Sequence, residues 1–419
     1  MYSVTHTHCS PSFYRVDPHM VAPHDKMDIY PSAEYRDFLT DSISDAVVEA
    51  YENRAEGAIA YGYGYAVVSH SRRVTYFDDI SLRPGAGAGS YFPQDGHAKM
   101  YGNTNDDMFA GYEGGADHYI NIMYTFDKEE HLTGAVINVP CPSQNSEGEY
   151  MQSASFWNEV RNALREKYGD IGILPQCAAA GDLAPRTLHY REAENRRYAL
   201  KYGTDPLEPK ASNQREIYTR HDISERICSA FDEVLSWAKK DLIYDAPVKH
   251  TVKTIILEKR LVTDEEYEFS KHHVARMKAE GYVDTGDVLA DFRANTGKAG
   301  AIHRLEKVVV RYEKQKERTD AEMELHVVRI GDIAFATNAF ELYIDFQHRI
   351  QARSPFTQTF IVQLTAQPDG YPAGYVATER AAANRGYSAI MHSCQISAQG
   401  GQTLVEETVK ELKNLYENK

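Results

Sequence analysis

The sequence predicts an α/β fold, and three observations carry that prediction. Strand-like and helix-like segments alternate along the chain. A length of 419 residues is enough to bury one large α/β core or two medium ones. An apolar share of 42% and a charged share of 26% are those of an ordinary globular protein. The net charge of −15, from 46 basic and 61 acidic residues, argues against general nucleic-acid binding, which depends on cations that displace phosphate counterions. No apolar run reaches the roughly eighteen residues that span a bilayer. The five cysteines (Cys9, Cys141, Cys177, Cys228, Cys394) are odd in number, far apart and without CxxC spacing, so neither a disulfide framework nor a four-cysteine zinc site is expected. That usage fits a reducing compartment, and a cytoplasmic location is expected if Met1 is the true start.

The first feature along the chain is Thr5-His6-Thr7-His8-Cys9-Ser10-Pro11, the end of a strand opening into a loop. Side chains at i and i+2 of a strand share a face, so His6 and His8 project together. Such a pair can hold a transition metal, or one ring can bind while the other handles protons. The plainer alternative is two surface imidazoles among the 17 histidines of the chain. Residues 12–38, rich in Pro, His, Asp and Tyr, show no period and read as a long loop. A helix is expected from Thr40 to about Asn53, with Ile43, Val47 and Tyr51 on one face. Ala58 to Ser69 reads as a strand with glycines where another group approaches closely, and it leads into His70-Ser71-Arg72-Arg73. Residues 81–115 contain Gly85-Ala86-Gly87-Ala88-Gly89 but lack the Lys-Ser/Thr of a phosphate loop and the GxGxxG spacing; a flexible insertion is expected. Tyr119–Phe126 and Leu132–Val139 form a predicted hairpin.

Beyond a loop over 140–149, the spacing of Phe156, Val160, Leu164 and Tyr168 predicts a helix from about Ser155, closed by Gly169. A short strand, Ile171–Leu174, delivers Gln176-Cys177-Ala178-Ala179-Ala180-Gly181-Asp182. A strand, a small-residue turn and Gly-Asp can place backbone N–H groups beside a substrate; the alternative is a cramped turn where only small residues fit. A polar linker over 186–220 precedes a helix with Ile223, Ile227, Phe231, Val234 and Ala238 in register and a capping-box pattern at Asp222 and Glu225. Next come a strand over Thr251–Leu257 and a helix opened by Thr263 and Glu266, whose His272 and His273 point to different faces. The charged stretch Arg304–Glu324 reads mostly as a solvated face. Glu324–Ile330 and Ile333–Thr337 read as paired strands turning at Gly331-Asp332. They feed Asn338-Ala339-Phe340-Glu341, where a helix begins and would favour an ionised, ligating carboxylate. A strand over Thr359–Ala366, the segments Gly374-Tyr375-Val376-Ala377-Thr378 and Arg385-Gly386-Tyr387, and a helix over Thr403–Tyr416 complete the chain. Tyrosines number 29, so most are packing or surface groups.

In this order, Thr5-His6-Thr7-His8, Arg72-Arg73, Gln176…Gly181-Asp182…Pro185, Asn338-Ala339-Phe340-Glu341, Gly374-Tyr375-Val376-Ala377-Thr378 and Arg385-Gly386-Tyr387 resemble the neutral/alkaline non-lysosomal ceramidase family, from residue 5 to about 410. The resemblance implies one α/β domain over 1–419, a large mixed β-sheet flanked by helices, with 81–115 as insertion and 186–220 as linker within it. It implies a hydrolase cutting the amide (N-acyl) bond of a small-molecule substrate. The implied metal is Zn²⁺, held by His6, Glu341 and Tyr375, with His8 handling protons and Arg72 and Tyr387 at the carbonyl oxygen. Members of that family are often secreted or periplasmic. Two positions depart from the pattern. The loop that supplies a second zinc histidine reads Asn138-Val139-Pro140-Cys141-Pro142-Ser143-Gln144, with Pro142 in the histidine's place and Cys141 as a neighbouring thiolate donor. The family's serine falls near Ala178, beside Cys177, which is either a nucleophile or a buried, inert thiol. The family's leading strand-rich segment is missing as well. The alternative function is a catalytically degenerate scaffold that binds a small ligand in the same pocket.

Overall fold

The computed structural model of the chain describes residues 2–11, 32–87, 95–147, 151–203, 211–368 and 373–417. Helix α1 (Ser32–Glu52) takes in residues 32–38, which were expected to be loop; residues 12–31 of that expected loop lie outside the described residues. Its Val47 and Tyr51 are exposed, so the apolar spacing that predicts the helix marks no packed face.

Strand β1 (Ala58–Tyr65) is followed by the two-residue β2 (His70–Ser71) and by β3 (Arg73–Tyr76). On the two edges of β3, β4 (Ala98–Met100) and β5 (Phe109–Tyr112) pair antiparallel. Residues 81–115, expected to be a flexible insertion, thus contribute two strands to a small sheet. Arg83 ties the segment down, reaching Asp78 at 2.7 Å and Asp106 at 2.6 Å; residues 88–94 lie outside the described residues. The predicted hairpin forms as β6 (Tyr119–Phe126) and β7 (Leu132–Val139). Helix α2 (Phe156–Tyr168) then returns the chain, so that β8 (Gly172–Cys177) runs parallel to β7, the crossover that parallel pairing requires. The first sheet has the order β1–β6–β7–β8. Short β9 (Leu183–Ala184) pairs with β2.

The expected polar linker over 186–220 is largely helical: α3 (Arg191–Tyr202) lies within it and α4 (Ala211–Ala238) begins in it. Asp222 is therefore mid-helix rather than a cap. It is buried, and Arg197, Lys201 and Arg226 gather on its carboxylate. The predicted apolar stripe holds: Ile223, Ile227, Phe231, Val234 and Ala238 pack with Ile120, Ile122 and Tyr124 of the sheet.

The second half repeats the order of the first. Strand β10 (Val248–Glu258) leads into a helical hairpin, α5 (Asp264–Glu280) and α6 (Val288–Lys314). The capping box at Thr263 and Glu266 is present. Strand β11 (Asp320–Ile330) pairs antiparallel with β10 and turns at Gly331, at φ 60°, into β12 (Ile333–Thr337). The pair β13 (Glu341–Leu342) and α7 (Ile344–Gln351) carries the chain to β14 (Gln358–Val362), which lies parallel to β12. The second sheet has the order β10–β11–β12–β14. Strand β15 (Tyr375–Val376), α8 (Glu379–Asn384) and α9 (Ala398–Glu417) follow.

The α/β class holds, with the mixed β-sheet core divided into two four-stranded sheets that face each other. Met123 from the first sheet meets Ile333, Phe335, Phe360 and Val362 of the second between them. Helix α4 covers the outer face of the first sheet, and α7 and α9 cover that of the second. All five residues of β12 are buried because Ile333 and Phe335 face inward while Ala334 and Ala336 meet the outer helices. At roughly 1.5–3 kcal/mol per large apolar side chain, these shared layers hold the fold together. The parallel pairs β7/β8 and β12/β14 end on the same side of the molecule. There Gln363 N–H donates to Cys177 O at 3.1 Å and Asn138 Nδ2 to Ile361 O at 2.9 Å. The carboxyl ends of parallel strands are where α/β sheets form ligand sites. Among the described residues, no helix is long and apolar enough to cross a membrane.

Candidate active site

Four loops meet beyond those strand ends, one after each of β7, β8, β12 and β14. Residues 2–11 lie across them. Tyr2 O accepts from Ala366 N at 2.8 Å, Thr5 O from Ser143 N at 3.0 Å and Cys9 O from Ser153 N at 2.9 Å. The segment is not a regular strand: between these ties the backbone bends, and His6 takes a left-handed conformation at φ 62°. A non-glycine residue held there costs about 1–3 kcal/mol, and such strain persists only where surrounding contacts fix it. His6 and His8 nonetheless converge, with their Nε2 atoms 3.0 Å apart.

His6 Nε2 lies 3.5 Å from Glu341 Oε2. Glu341 does not open a helix as the sequence suggests. Its N–H donates to Gly374 O, which makes it a strand residue, and α7 starts only at Ile344. The parallel pairing of β13 with β15 sets Glu341 directly beside Tyr375. Arg72, between β2 and β3, completes the group. Its Nη2 donates to Tyr375 Oη at 3.2 Å and Gly181 O at 2.8 Å, and stands 4.0 Å from Glu341 Oε2. On its other side Nη1 reaches Gln144 Oε1 at 3.4 Å. Burial lowers the affinity of Arg72 for its proton, but Tyr375, Tyr101 and Glu341 outweigh it, so the guanidinium stays charged. Burial, with Glu341 assisting, pushes the Tyr375 phenol well above its ordinary range against the pull of Arg72. Burial also lowers His6, aided by His8 and Arg72 and opposed by Glu341, so its imidazole is neutral near pH 7.

Tyr387 stands edge-on to Tyr375, with ring centroids 5.8 Å apart. Its position is set by Arg73, whose side chain turns the opposite way from that of Arg72. Arg73 donates to the carbonyls of Tyr387 at 2.7 Å and Arg385 at 2.6 Å, and pairs with buried Glu113. His8 is held from its other nitrogen: Nδ1 lies 2.7 Å from Glu147 Oε2. Glu147 in turn accepts from Arg186 Nη1 at 2.6 Å and Gln144 Nε2 at 3.1 Å. Burial opposes its ionisation, but His8, Arg186 and Gln144 together bring it down to about 2.

Glu113, Gln144, Glu147 and Arg186 are the supports that sequence reasoning missed, and Arg73, named there only as part of a motif, received no role. The one available signal was the polar run Gln144-Asn145-Ser146-Glu147 directly after a predicted strand. The positions that departed from the family pattern are buried. Cys141 Sγ points to Val68 O at 3.2 Å, and burial raises its thiol. Cys177 is 1% exposed and pushed up to about 12 by burial, which favours the inert of its two readings. The turn after β8 is cramped rather than donating. Ala179 N–H goes to Gln347 Oε1, Ala180 N–H to Gln363 Oε1 and Gly181 N–H to Leu342 O, and a Cβ on Gly181 would sit 2.3 Å from Glu341 O. Among the described residues no three His, Cys, Asp or Glu side chains gather as a metal-holding group, so the candidate donor set depends on the Tyr375 phenol. A cavity of about 770 Å³ opens beside Tyr101 and Tyr387 and runs past Tyr76, Arg83 and Asp106.

No protein-family model and no curated protein matches the sequence. Among solved structures, the crystal structure of neutral ceramidase from Pseudomonas aeruginosa aligns with a TM-score of 0.52 at 14% identity, over 88% of this chain and 54% of that one. The chain has the fold of neutral ceramidase. A structure described as ceramidase complexed with C2 aligns with a TM-score of 0.49 at 13% identity, over 86% of this chain and 54% of that one. The chain therefore spans about half the length of the ceramidases it matches.

Proposed function

We propose that the chain is a metal-dependent amide hydrolase acting on N-acyl small molecules. One observation carries this reading: His6, Arg72, Glu341 and Tyr375, drawn from four separate segments, converge beyond the ends of the parallel strands. The donors fit a zinc ion in kind. A neutral imidazole nitrogen faces a carboxylate oxygen at 3.5 Å, and a phenol stands beside that carboxylate. With Pro142 and Cys141 contributing no fourth donor, His6, Glu341 and Tyr375 would hold the ion and leave a position open. Bound there, a metal supplies Lewis acidity and a nucleophilic water at neutral pH.

The remaining chemistry belongs to the chain. Arg72 is a buried, fixed positive charge on which the oxygen of an amide carbonyl can develop its negative charge. Tyr387, beside Tyr375 at the mouth of the cavity, offers a phenol O–H to the same oxygen. Glu147 accepts the Nδ1–H of His8, which leaves Nε2 with the lone pair; His6 Nε2, 3.0 Å away, then carries a proton in the metal-free chain that it would give up on binding the ion. The His8 nitrogen takes a proton from the attacking water and returns it to the departing amine as the C–N bond breaks.

Metal analysis of the purified chain, joined to a hydrolysis screen of N-acyl amines, tests the reading. About one equivalent of metal is expected, lost in His6→Ala and in Glu341→Ala, with turnover abolished by Tyr387→Phe. Absence of metal, or metal content that neither substitution changes, refutes it. Ala178, fully buried where the family's serine falls, favours the second reading, a degenerate binding scaffold; ligand binding without turnover across the screen would select it.

A further inference from the structure

Each four-stranded sheet has two outer edges, and three of the four are guarded. Strand β8 carries Pro175, which has no N–H to offer. In β1, Ile59 exchanges both of its backbone bonds with Ile243. Strand β14 has five residues, and side chains cover its outward carbonyls: Gln351 Nε2 donates to Thr359 O at 3.0 Å and Asn138 Nδ2 to Ile361 O at 2.9 Å. Strand β10 is the exception. It runs for eleven residues with no proline, no glycine and no break in its pairing with β11. Its odd-numbered positions face β11: Lys259 N–H donates to Thr319 O, and Pro247 O accepts from Gly331 N–H, each at 2.9 Å. The even-numbered residues therefore direct their backbone groups outward, as Glu258 O does in accepting from Ser397 N–H at 3.1 Å. Among the described residues, nothing meets the outward N–H and C=O of His250, Val252, Thr254 and Ile256.

The same edge shows apolar side chains to solvent. Val248, Val252 and Ile256 are 68%, 52% and 49% exposed. They share a face with Val328 and Ile330 of β11, which reach the layer between the sheets. A long unpaired edge of this kind is a template for another strand. Lys253, whose charge would repel one, is drawn onto α9 by Glu407 at 2.8 Å and Glu411 at 2.9 Å. Strand β10 is also complementary to itself. With a two-fold axis at Val252, antiparallel pairing sets Val248 opposite Ile256, His250 opposite Thr254, and Val252 opposite its own copy. On the other face Lys249 meets Ile255 and Lys253 meets Thr251. Moving the axis one residue either way sets Lys249 against Lys253, or Lys253 against its copy, and like charges directly opposite are destabilising. Pairing about Val252 also stops short of Glu258, where Ser397 already holds the edge.

We propose that the partner of this edge is a second copy of the chain, joined β10 to β10 about a two-fold axis at Val252. Facing residues that direct their backbone outward exchange two hydrogen bonds per pair, roughly ten in all. Size-exclusion chromatography with light scattering should give twice the 47.4 kDa of the chain at micromolar concentration. Val252→Lys sets two like charges opposite each other at an exposed position and should return the mass of one chain, with an unchanged circular dichroism spectrum. A cysteine scan reads the register: under mild oxidation Val252→Cys should cross-link to its own copy, whereas Ile256→Cys, which faces Val248, should not. A parent chain that stays at the mass of one copy at every concentration overturns the proposal. So does a dimer that Val252→Lys leaves intact, or cross-linking of Ile256→Cys as readily as of Val252→Cys.

Discussion

Glu113→Gln tests how the Tyr387 loop is held. Glu113 is 8% exposed and Arg73 0%. Arg73 Nη2 donates to Glu113 Oε1 at 3.1 Å and its Nε to the other oxygen, while Asn384 Nδ2 donates to Oε1 at 2.9 Å. The substitution keeps the shape of the side chain and removes its charge, which leaves a buried guanidinium without its directly paired carboxylate. Breaking one side of a buried pair costs about 3–5 kcal/mol. Because the amide oxygen still accepts one hydrogen bond, the lower end, about 3 kcal/mol, is expected. Set against a total of about 5–15 kcal/mol for a typical domain, that is a large share. Urea unfolding at pH 7, followed by circular dichroism, should show a lower midpoint with an unchanged slope. A double-mutant cycle with Arg73→Met should return a coupling of at least about 2 kcal/mol. A loss below about 1 kcal/mol, or a coupling near zero, would refute the claim that the pair works as a unit.

Gly181→Ala places a methyl group 2.3 Å from the Glu341 carbonyl oxygen, so a loss of about 1–3 kcal/mol in chemical denaturation is expected; an unchanged midpoint would contradict the cramped turn. Asp182, buried and pushed up to about 6 from an ordinary 3.8, binds its proton more tightly folded than unfolded, so its contribution to stability falls as pH rises through that interval. Asp182→Asn keeps the acceptor for Ile344 N–H and carries no charge; relative to the parent it should gain about 2.4 kcal/mol between pH 4 and pH 7, and a pH-independent difference would exclude the effect. Cys141, Cys177 and Cys394 are at most 2% exposed, so a thiol reagent should modify them only after unfolding; rapid labelling of native Cys177 would contradict its inert state.

Where a pattern is local, the sequence told the fold well. The hairpin over 119–139 and the helix ending at Tyr168 carry their own period, and both stand where the spacing puts them. Strands β4 and β5, of three and four residues, are too short to show a period, and the glycines around them read as flexibility. Asp222 followed by Glu225 imitates a helix start, but the three cations that make a mid-helix Asp222 tolerable come partly from α3, which the sequence reads as linker. Within the candidate site, His6, Arg72, Glu341 and Tyr375 are legible because their residue types and order are unusual. Glu147, Arg186 and Gln144 are ordinary polar residues whose meaning exists only once loops after different strands touch.

The repeated strand order has a consequence for what the site is. Strands β1, β6 and β7, helix α2 and strand β8 follow the same plan as β10, β11 and β12, helix α7 and strand β14: two antiparallel pairings, a helical crossover and one parallel strand. The chain is built as a dimer of like halves would be, joined covalently. Gln144, Glu147 and Gly181 come from the loops of one half, and Glu341 and Tyr375 from those of the other. In the loop after the third strand, the second half carries Glu341 four residues past the strand end, where the first half carries Ser143. The candidate donors are therefore lopsided across a seam, and neither half alone contains more than two of the four loops that make the site.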